Sequence, residues 1–368
     1  MRAKALIHLD RLACNVNAVS QRAAPARLIC VVKSNAYGHG AVPVTRHLAG
    51  LGQNFFALAR IEEALELVES NIKADFLVFG RVFPDRLAEA IKAGIHLTAC
   101  CEQDLKWMEA ASGGKRVFVH VKAETGMGRT GLLSHEAPAF FNRLMETPCL
   151  FFAGLYSHFA TADEADKTFA KEQLDRFRAI AQSFSGAKKR PAMLHMANSA
   201  AVLDIPDARF DAVRPGVILY GHYPSEFTGK AIVPQPVMSL VAPVVQVRRV
   251  PAGFTVSYGC RFKASRETTL AVLPIGYGDG LHRSLTGKGE VLIRGRRYPV
   301  AGVVTMDTTI VDAGSGPVEV GDEALVFGQT TQGQIPAAEL AQKIGTIPYE
   351  ITCAITPRIP RVYLDKSP

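Results

Sequence analysis

The sequence predicts an α/β protein: a (β/α)8 barrel of the TIM type, followed by a second, mostly β C-terminal domain. Between residues 28 and 225, apolar segments of strand length alternate with helical patterns about eight times, as in barrels whose parallel strands are covered by helices. After residue 235, β-rich segments separated by glycine and proline replace this alternation. The length of 368 residues also favours a large domain plus a smaller one over a single hydrophobic core.

The predicted barrel strands are short apolar segments, at 28–33, 55–59, 75–79, 95–99, 116–123, 150–157, 192–196 and 212–220. The predicted helices between them have apolar residues spaced for one buried face, at 61–69, 86–92, 102–111, 137–145 and 167–184. In such a barrel the active site lies at the carboxyl ends of the strands. The residues that follow each strand are therefore the candidates for chemistry.

The second domain is predicted to contain strands at 241–250, 268–275, 290–293, 300–304, 308–311 and 324–327, and a short helix at 336–344. A linker is predicted at 223–236, where prolines and Gly229 interrupt the pattern. The chain is thus divided into a barrel of residues 11–230 and a β-rich domain of residues 231–368.

The charge pattern argues against a nucleic-acid partner. The net charge is +8 and the isoelectric point is near 9.1, but the basic residues are scattered, with small clusters only at 188–190, 248–249 and 294–297. Nucleic-acid-binding proteins concentrate such residues on one face or stripe. We expect most of them to be solvated surface residues.

The seven cysteines are odd in number and have no Cys-x-x-Cys spacing, which argues against both a disulfide framework and a zinc site. We therefore expect no metal and a reducing compartment. The first ten residues do not resemble a signal peptide, and no apolar run approaches the roughly 18 residues of a membrane span. The expected location is the cytoplasm, without a membrane partner.

Lys33 is the candidate nucleophile. It closes the apolar run 28–32 and is followed by the segment Ser-Asn-Ala-Tyr-Gly. A lysine at the carboxyl end of a buried strand becomes reactive when burial or nearby positive charge lowers the pKa of its amine. In isolation, a lysine that simply reaches water is the commoner outcome.

The segment 126–131 matches the Gly-x-Gly-x-x-Gly pattern and admits a dinucleotide-binding interpretation, which would make the protein an oxidoreductase. That fingerprint opens a helix after the first strand. Here it follows the fifth predicted strand, contains Arg129, and leads into Leu132 and Leu133 with Pro138 close behind. We therefore disfavour this interpretation.

The segment 32–38 resembles the pyridoxal 5′-phosphate (PLP) attachment site of the alanine racemases. Further segments resemble the same family along the whole chain, at 125–129, 211–217, 256–259, 274–280, 305–307, 349–352 and 358–363. The resemblance implies a PLP-dependent isomerase of fold type III. It also implies that an N-terminal strand within residues 1–10 packs with the β domain.

The resemblance implies a two-base mechanism that interconverts L-alanine and D-alanine through a PLP external aldimine. Lys33 would hold PLP as the internal aldimine and exchange the α-proton on the D face. Tyr258 of the partner subunit would serve the L face, so the protein would be a head-to-tail homodimer with shared active sites. Two bases on opposite faces give inversion, because each deprotonates one enantiomer and reprotonates the other.

The resemblance also implies the remaining site residues. The cofactor-binding set is Lys33, Tyr37, Arg129, His158, Ser199, Arg214, Gly216, Val217 and Tyr349. The substrate amino acid would meet Arg129, Tyr277 and Met306. Arg214 would donate to the pyridine nitrogen, which keeps the ring a weaker electron sink and suppresses side reactions. Lys122 is a position that some members carry as a carbamylated lysine.

Two departures from the family pattern concern the loops around the site. Glu124 stands where aspartate is usual, and Val303 stands where arginine often guards the entrance with Asp163 and Arg283. Substrate breadth therefore stays open, with a serine or broad-specificity racemase as the alternative. A decarboxylase, a non-catalytic PLP carrier and an interaction protein that merely keeps the fold are further alternatives. Production of D-alanine as a peptidoglycan precursor and catabolism of alanine also stay open.

Overall fold

The computed structural model describes residues 2–183 and 190–366. The basic residues predicted at 188 and 189, and the predicted helix end at 184, lie outside this part of the chain. The first domain contains a parallel sheet with helices outside it, and the second is mostly β. The predicted fold class is confirmed.

Nine strand segments form the barrel sheet: β2 Arg27–Leu28, β3 Cys30–Val31, β4 Phe55–Leu58, β5 Asp75–Val78, β6 His96–Ala99, β7 Val117–Lys122, β8 Leu150–Tyr156, β9 Leu194–His195 and β10 Ala212–Val213. All neighbouring segments pair in parallel, in the order β2-β10-β9-β8-β7-β6-β5-β4-β3. Segments β2 and β3 are two pieces of one predicted strand, separated at Ile29. The sheet therefore returns on itself and closes around eight strand positions.

The last predicted barrel strand is much shorter than expected. Only Ala212–Val213 is a strand, whereas Val217–Tyr220 is a turn of 3-10 helix. Gly216 precedes that turn, and all four of its residues are buried. The apolar character of 217–220 reflects burial under the barrel rim and not strand pairing.

The barrel helices are α1 Leu9–Ala23, α2 Ala41–Gly50, α3 Ile61–Glu69, α4 Pro84–Lys92, α5 Glu102–Ala111, α6 Ala137–Glu146, α7 Thr168–Gln182 and α8 Ser199–Asp204. Each turns an apolar stripe toward the sheet; in α4 this stripe is Leu87, Ala90 and Ile91. Pro84 at the first helical position fits the start of that helix, because its missing N–H would have no intrahelical partner there.

The second domain contains the strands β11 Met238–Pro243, β12 Gln246–Val250, β13 Thr255–Val256, β14 Phe262–Lys263, β15 Thr268–Leu273, β16 Glu290–Ile293, β17 Arg296–Pro299, β18 Thr309–Gly314, β19 Glu323–Thr330, β20 Gly333–Ile335 and β21 Arg361–Leu364. Its helices are α9 Ala337–Ile344 and α10 Pro348–Cys353. The strand predicted at 300–304 is wrong: the paired strand ends at Pro299, and Val300 makes one isolated bridge to Val311.

The chain's first strand, β1 Lys4–His8, lies in the sheet of the second domain. It pairs antiparallel with β11 and parallel with β21. The side chain of His8 is buried there, and its Nε2 lies 3.1 Å from Ser239 Oγ. Across residues 2–183 and 190–366, no helix is long and apolar enough to cross a membrane.

Candidate active site

Lys33 directly follows Val32 and begins an unusual turn at the rim of the barrel. Residues 34–37 all have φ between 52° and 54°, so they form one left-handed helical turn. This conformation costs residues other than glycine about 1–2 kcal/mol each. Side chains hold it: Ser34 N–H donates to Glu63 Oε1 at 2.6 Å, and Ala41 N–H donates to Asn35 Oδ1 at 2.7 Å. Backbone strain of this kind clusters at functional sites.

The pKa of the Lys33 amine is lowered from its ordinary value of 10.5. Burial is the larger cause, and the positive charge of Arg129 adds to it, against an opposing effect of Glu63. Both main causes disfavour the ammonium form. The turn therefore presents an amine that is more readily deprotonated than a surface lysine.

A second lysine, which is buried, lies beside the same arginine. The side chain of Lys122 is 5% exposed, and its Nζ donates to Thr130 Oγ1 at 2.6 Å. Burial and then Arg129 lower the pKa of Lys122. The strand end and the loop after it thus bring two cationic side chains close together, the buried Lys122 and the exposed Arg129.

The loop that carries Arg129 is organised by Glu124. Burial raises the pKa of this carboxyl, but the backbone N–H groups of residues 126–129 together lower it by more than burial raises it. The net shift of the pKa is therefore downward. The Gly126 N–H donates to Glu124 Oε1 at 2.5 Å. After the loop, Leu132 bridges back to Ala123, and the next helix begins only at Ala137. The loop does not open a helix, so the dinucleotide fingerprint lacks its structural context.

Arg214 follows β10 and is 3% exposed. Its Nη1 donates to His195 O at 2.7 Å and His195 Nδ1 at 3.0 Å. Its Nη2 donates to Ser157 O at 2.5 Å and Met196 O at 3.0 Å, and lies 3.3 Å from His158 Nδ1. Burial lowers the pKa of Arg214 to about 10, which still leaves it charged at neutral pH. Burial, followed by the charges of Arg214 and Arg129, holds the pKa of His158 well below its ordinary value.

Ser199, Gly216, Tyr37 and Tyr349 lie in the same cavity and form a corner whose chemistry suits an anion; we call it the anion-binding corner. The Gly216 N–H donates to Ser199 Oγ at 2.9 Å, and Gly216 leads into the 3-10 turn Val217–Tyr220. A Cβ atom on Gly216 would lie 2.3 Å from Tyr37 Oη, so only glycine lets this backbone approach the tyrosine. The Tyr37 and Tyr349 rings are 6.1 Å apart. Burial raises the pKa of both phenols, which therefore remain hydrogen-bond donors.

These groups line one cavity of about 500 Å³, a common size for a small-molecule site. Ten of the predicted site residues line it: Lys33, Tyr37, Lys122, Arg129, His158, Ser199, Arg214, Gly216, Val217 and Tyr349. The cavity has several cations and one reactive amine. It can therefore hold an anionic molecule and bond covalently to a carbonyl group.

The other three predicted site residues lie on the second domain and do not line this cavity. Tyr258 is 74% exposed, Met306 is 52% exposed and Tyr277 is 42% exposed. Tyr258 follows Ser257, whose φ of 63° and Oγ hydrogen bond to Val303 O at 2.8 Å fix the course of the loop. Val303 itself is buried at 3% exposure. Within one chain, none of these three side chains lines the cavity that contains Lys33.

Sequence reasoning missed several residues of the site. Phe79, Gly80, Thr130, Tyr156, Phe159 and Asn198 also line the cavity. His195 is hydrogen-bonded to Arg214, and His120 is hydrogen-bonded to His195. The sequence places His120 and Tyr156 within predicted strands, where residues two apart face the same side, so it could indicate which of them point into the barrel. The pairing between strands was needed to bring them together.

Two family models match nearly the whole chain. The alanine racemase N-terminal domain matches residues 7–224, and the alanine racemase C-terminal domain matches residues 237–363. The alanine racemase of Desulforamulus reducens is 39% identical, over 97% of this chain and 98% of that protein. The alanine racemase 2 of Caldanaerobacter subterraneus is 37% identical, over 97% and 94%.

Solved structures agree with this relationship. The alanine racemase from Streptomyces coelicolor A3(2) superposes with a TM-score of 0.95 at 36% identity, covering 99% of this chain and 98% of that one. The alanine racemase from Streptomyces lavendulae, a D-cycloserine producer, superposes with a TM-score of 0.93 at 37% identity, covering 99% and 97%. The resemblance found in the sequence is confirmed, and the chain belongs to the alanine racemase family.

Proposed function

We propose that this protein is an alanine racemase that binds PLP at Lys33 and completes each active site across a homodimer. The observation that carries the proposal is the cavity itself. In this cavity the Lys33 amine, whose pKa is lowered, shares the lining with the buried cations Lys122 and Arg214 and with the anion-binding corner. Family membership supplies the reaction class. The substrate would be a small amino acid, without metal, nucleic acid or membrane, and the expected compartment is the cytoplasm.

The residues of the cavity fit PLP at each of its functional groups. The Gly216 and Val217 amides and Ser199 Oγ suit a phosphate, because N–H groups and hydroxyls that line a cavity can donate to anionic oxygens. Gly216 N–H donates to Ser199 Oγ, and a bound phosphate would take the place of that acceptor while the Ser199 hydroxyl donates to it as well. The Tyr37 and Tyr349 hydroxyls add two donors at the same end. A side chain at position 216 would collide with Tyr37, so glycine there keeps the tyrosine hydroxyl at this end of the cavity.

The other end of the cavity suits the aromatic ring. Within the part of the chain that the structure describes, Arg214 is held by five hydrogen bonds, all of them through its Nη atoms, which leaves its Nε–H for a ligand. This N–H would face the pyridine nitrogen and keep it unprotonated. His158 lies beside Arg214 with its pKa far below neutral, so it would contact the ring as an uncharged imidazole.

Once bound, PLP supplies the electron sink that makes the α-proton of an amino acid acidic. Lys33 would bind the cofactor covalently, release it to the incoming amino acid, and then hold or return the α-proton on one face. The lowered pKa of Lys33 supports both roles, because a neutral amine is needed in each. Arg129 would donate to the substrate carboxylate and to the phenolic oxygen of PLP, as a guanidinium offers several fixed donors.

The opposite face requires a second proton-transfer group, and Tyr258 of the partner subunit would provide it. Tyr258 is largely exposed in one chain and stands on a loop fixed by Ser257, as expected for a side chain that completes a neighbour's site. Tyr277 and Met306 are exposed on the same domain and would narrow the pocket around a methyl-sized side chain. This argument favours alanine over larger amino acids.

Lys122 would be carbamylated and would orient Arg129. A buried neutral or anionic group at this position removes the repulsion between two neighbouring cations, and both the burial of Lys122 and its lowered pKa support that change. Thr130, whose hydroxyl accepts from Lys122 Nζ at 2.6 Å, would stabilise the modified side chain as a donor. Mass analysis of the intact protein prepared with and without bicarbonate tests this point.

The function is tested by racemisation of the purified protein in the presence of PLP. We expect L-alanine and D-alanine to interconvert, and borohydride reduction to fix the cofactor on the peptide that contains Lys33. A kcat/KM for serine equal to or above that for alanine would replace the alanine assignment with a broader one. Release of carbon dioxide would identify a decarboxylase, and cofactor binding without turnover would identify a carrier.

A further inference from the structure

Three histidines continue the hydrogen bonding of Arg214 through the barrel. Arg214 Nη1 lies 3.0 Å from His195 Nδ1, His195 Nε2 lies 2.9 Å from His120 Nδ1, and His120 Nε2 lies 2.9 Å from His96 Nδ1. These residues come from the segment after β10 and from β9, β7 and β6 in turn. The chain of side chains thus crosses the barrel from the cavity to the start of a strand.

The register of the sheet explains why the histidines meet. Tyr156 lines the cavity and pairs with His195, while His120 pairs with Gly154, two residues before Tyr156 on the same strand. Thr98 pairs with His120, and His96 lies two residues before Thr98. Because side chains alternate along a strand, all three histidines face the barrel interior.

The barrel provides a specific space for His120. The pairing of β7 with β8 shifts register between Val119 and His120, so β8 bulges at Ala153. Gly154 then stands opposite His120, where a Cβ atom would lie 2.3 Å from His120 Nδ1. Both the bulge and the missing side chain are needed to fit the ring.

The neighbouring rings fix the orientation of the other two histidines. His96 stacks on Phe118 with ring centroids 4.7 Å apart and an interplanar angle of 7°. His195 stacks on Tyr156 with centroids 4.9 Å apart and an angle of 6°. Phe55 packs its ring at an angle against both His96 and His120. The imidazoles therefore have little freedom to rotate away from their hydrogen bonds.

The direction of every hydrogen bond in the chain follows from Arg214. A guanidinium can only donate, so His195 must accept at Nδ1 and, as a neutral ring, carry its proton on Nε2. That proton is donated to His120 Nδ1, which leaves the His120 proton on Nε2, facing His96 Nδ1. All three rings therefore have the same tautomer. Burial lowers the pKa of each of them, which agrees with neutral rings at pH 7.

We propose that His195, His120 and His96 are positioning residues that hold Arg214 in one orientation, with His96 fixing the far end of a one-way hydrogen-bond chain. An imidazole without an acceptor can exchange tautomers. If His120 did so, its Nδ1–H would face His195 Nε2, which would then have to accept. The proton of His195 would move to Nδ1, where it would oppose the Arg214 N–H. The chain thus keeps the guanidinium of Arg214, which lines the cavity, in one orientation. The inference rests on the proposed function in one respect only, namely that Arg214 would face the pyridine nitrogen of PLP.

The test uses nitrogen NMR of the histidine rings in the full-length protein without added cofactor. In the unaltered protein, we expect His96, His120 and His195 all to be protonated at Nε2. His96→Leu removes the acceptor of His120, and we expect a second, Nδ1-protonated signal from His120. His96→Asn offers an amide oxygen near the place of Nδ1 and should restore the single tautomer. His135→Leu, at an exposed histidine, is the matched control.

Either of two NMR results would overturn the proposal: Nδ1 protonation of His120 or His195 in the unaltered protein, or an unchanged His120 signal in His96→Leu. Gly154→Ala gives an independent check, since it keeps every histidine but fills the space of His120. It should produce the same mixed signal. These readouts do not depend on racemisation, so they separate this proposal from the proposed function.

With PLP bound, His96→Leu should lower kcat by up to about tenfold, the effect of losing one net hydrogen bond. The KM for alanine should change by less than about twofold, because His96 does not touch the cavity and acts on reactivity. His96→Asn should recover most of kcat. A loss of thermal stability in His96→Leu with an unchanged kcat and unchanged tautomers would mean that the histidine only fills the core.

Discussion

Gly216 lies so close to Tyr37 that a Cβ atom at position 216 would be 2.3 Å from the phenolic oxygen. We expect Gly216→Ala to push Tyr37 away and to obstruct the anion-binding corner. Affinity for PLP, measured by absorbance titration of the cofactor-free protein, should fall about tenfold or more, the effect of losing one or two charge-assisted hydrogen bonds.

Gly50→Ala is a suitable control for that substitution, because no heavy atom lies within 4 Å of a Cβ at this helix position. It should leave PLP affinity unchanged. Equal PLP affinity in Gly216→Ala and the unaltered protein would contradict the proposed position of the phosphate in this corner of the cavity.

The separation of Lys33 from Tyr258 allows a complementation test of shared sites. Lys33→Ala and Tyr258→Phe should each lower racemisation by about a hundredfold or more, as expected for losing a general acid–base group. If each site takes Lys33 from one chain and Tyr258 from the other, a mixed dimer has one site with neither defect. Random mixing of the two inactive variants should then restore about a quarter of the full activity.

The same mixture distinguishes the alternatives. If each site were built from one chain, every site in a mixed dimer would still carry either Lys33→Ala or Tyr258→Phe. Mixing would then restore no activity. Refolding or prolonged incubation should be used to exchange subunits, with Lys106→Ala as an exposed-lysine control that keeps full activity alone.

The reaction of the cofactor-free protein with PLP should depend on pH through Lys33. Its pKa lies below the ordinary 10.5, so the rate of covalent capture should rise with pH and level off before the range where a free lysine would do so. Arg129→Ala removes a cation that depresses this pKa, and its rate profile should shift to higher pH. Arg129→Lys keeps the charge and should leave the midpoint nearly in place. If neither substitution changed the midpoint, the Arg129 charge would not influence the pKa of Lys33, and the prediction would be wrong.

Several buried histidines should make the folded protein sensitive to acid. Burial lowers the pKa of His8, His96 and His222 to about 4 and that of His39 to about 3, all from 6.5. Their contribution to stability is present above pH 6.5, where both states are neutral. It is lost as the pH falls from 6.5 toward 4 and 3, because the unfolded chain then binds protons that the folded chain does not.

Urea unfolding at one protein concentration measures this effect. The free energy of unfolding should decrease between pH 6.5 and pH 4.5, by about 1.4 kcal/mol per pH unit for each proton taken up. A free energy of unfolding that stays constant or increases as the pH is lowered over this range would contradict neutral burial of these rings.

Much of the barrel could be predicted because its strands are short, apolar and separated by amphipathic helices. The strand β4 Phe55–Leu58 differs from its prediction by one residue, and α5 Glu102–Ala111 agrees at both ends. The left-handed turn after Lys33 could not be predicted, since nothing in residues 34–37 prefers positive φ strongly enough. The turn is imposed by Glu63 and by tertiary contacts.

The helix α10 Pro348–Cys353 was also missed, because it is short and its apolar pattern is too brief to identify. For the site, the motif-bearing residues could be predicted from resemblance. The histidines behind Arg214 could not, because their contacts depend on a bulge in β8 and on strand register. Tyr258 could be identified from its motif. Its exposure, and its absence from the cavity of its own chain, depend on the three-dimensional arrangement and could not be predicted.

The pairing of β1 with β11 and β21 has a consequence for synthesis on the ribosome. Residues 4–8 are translated before the barrel, whereas their neighbours in the sheet come after it: Met238–Pro243 begins the second domain and Arg361–Leu364 is its last strand. The nascent chain must therefore keep an apolar strand unpaired while the whole barrel is made. We expect this strand to be the segment that chaperones shield during translation, and its pairing to mark completion of the fold.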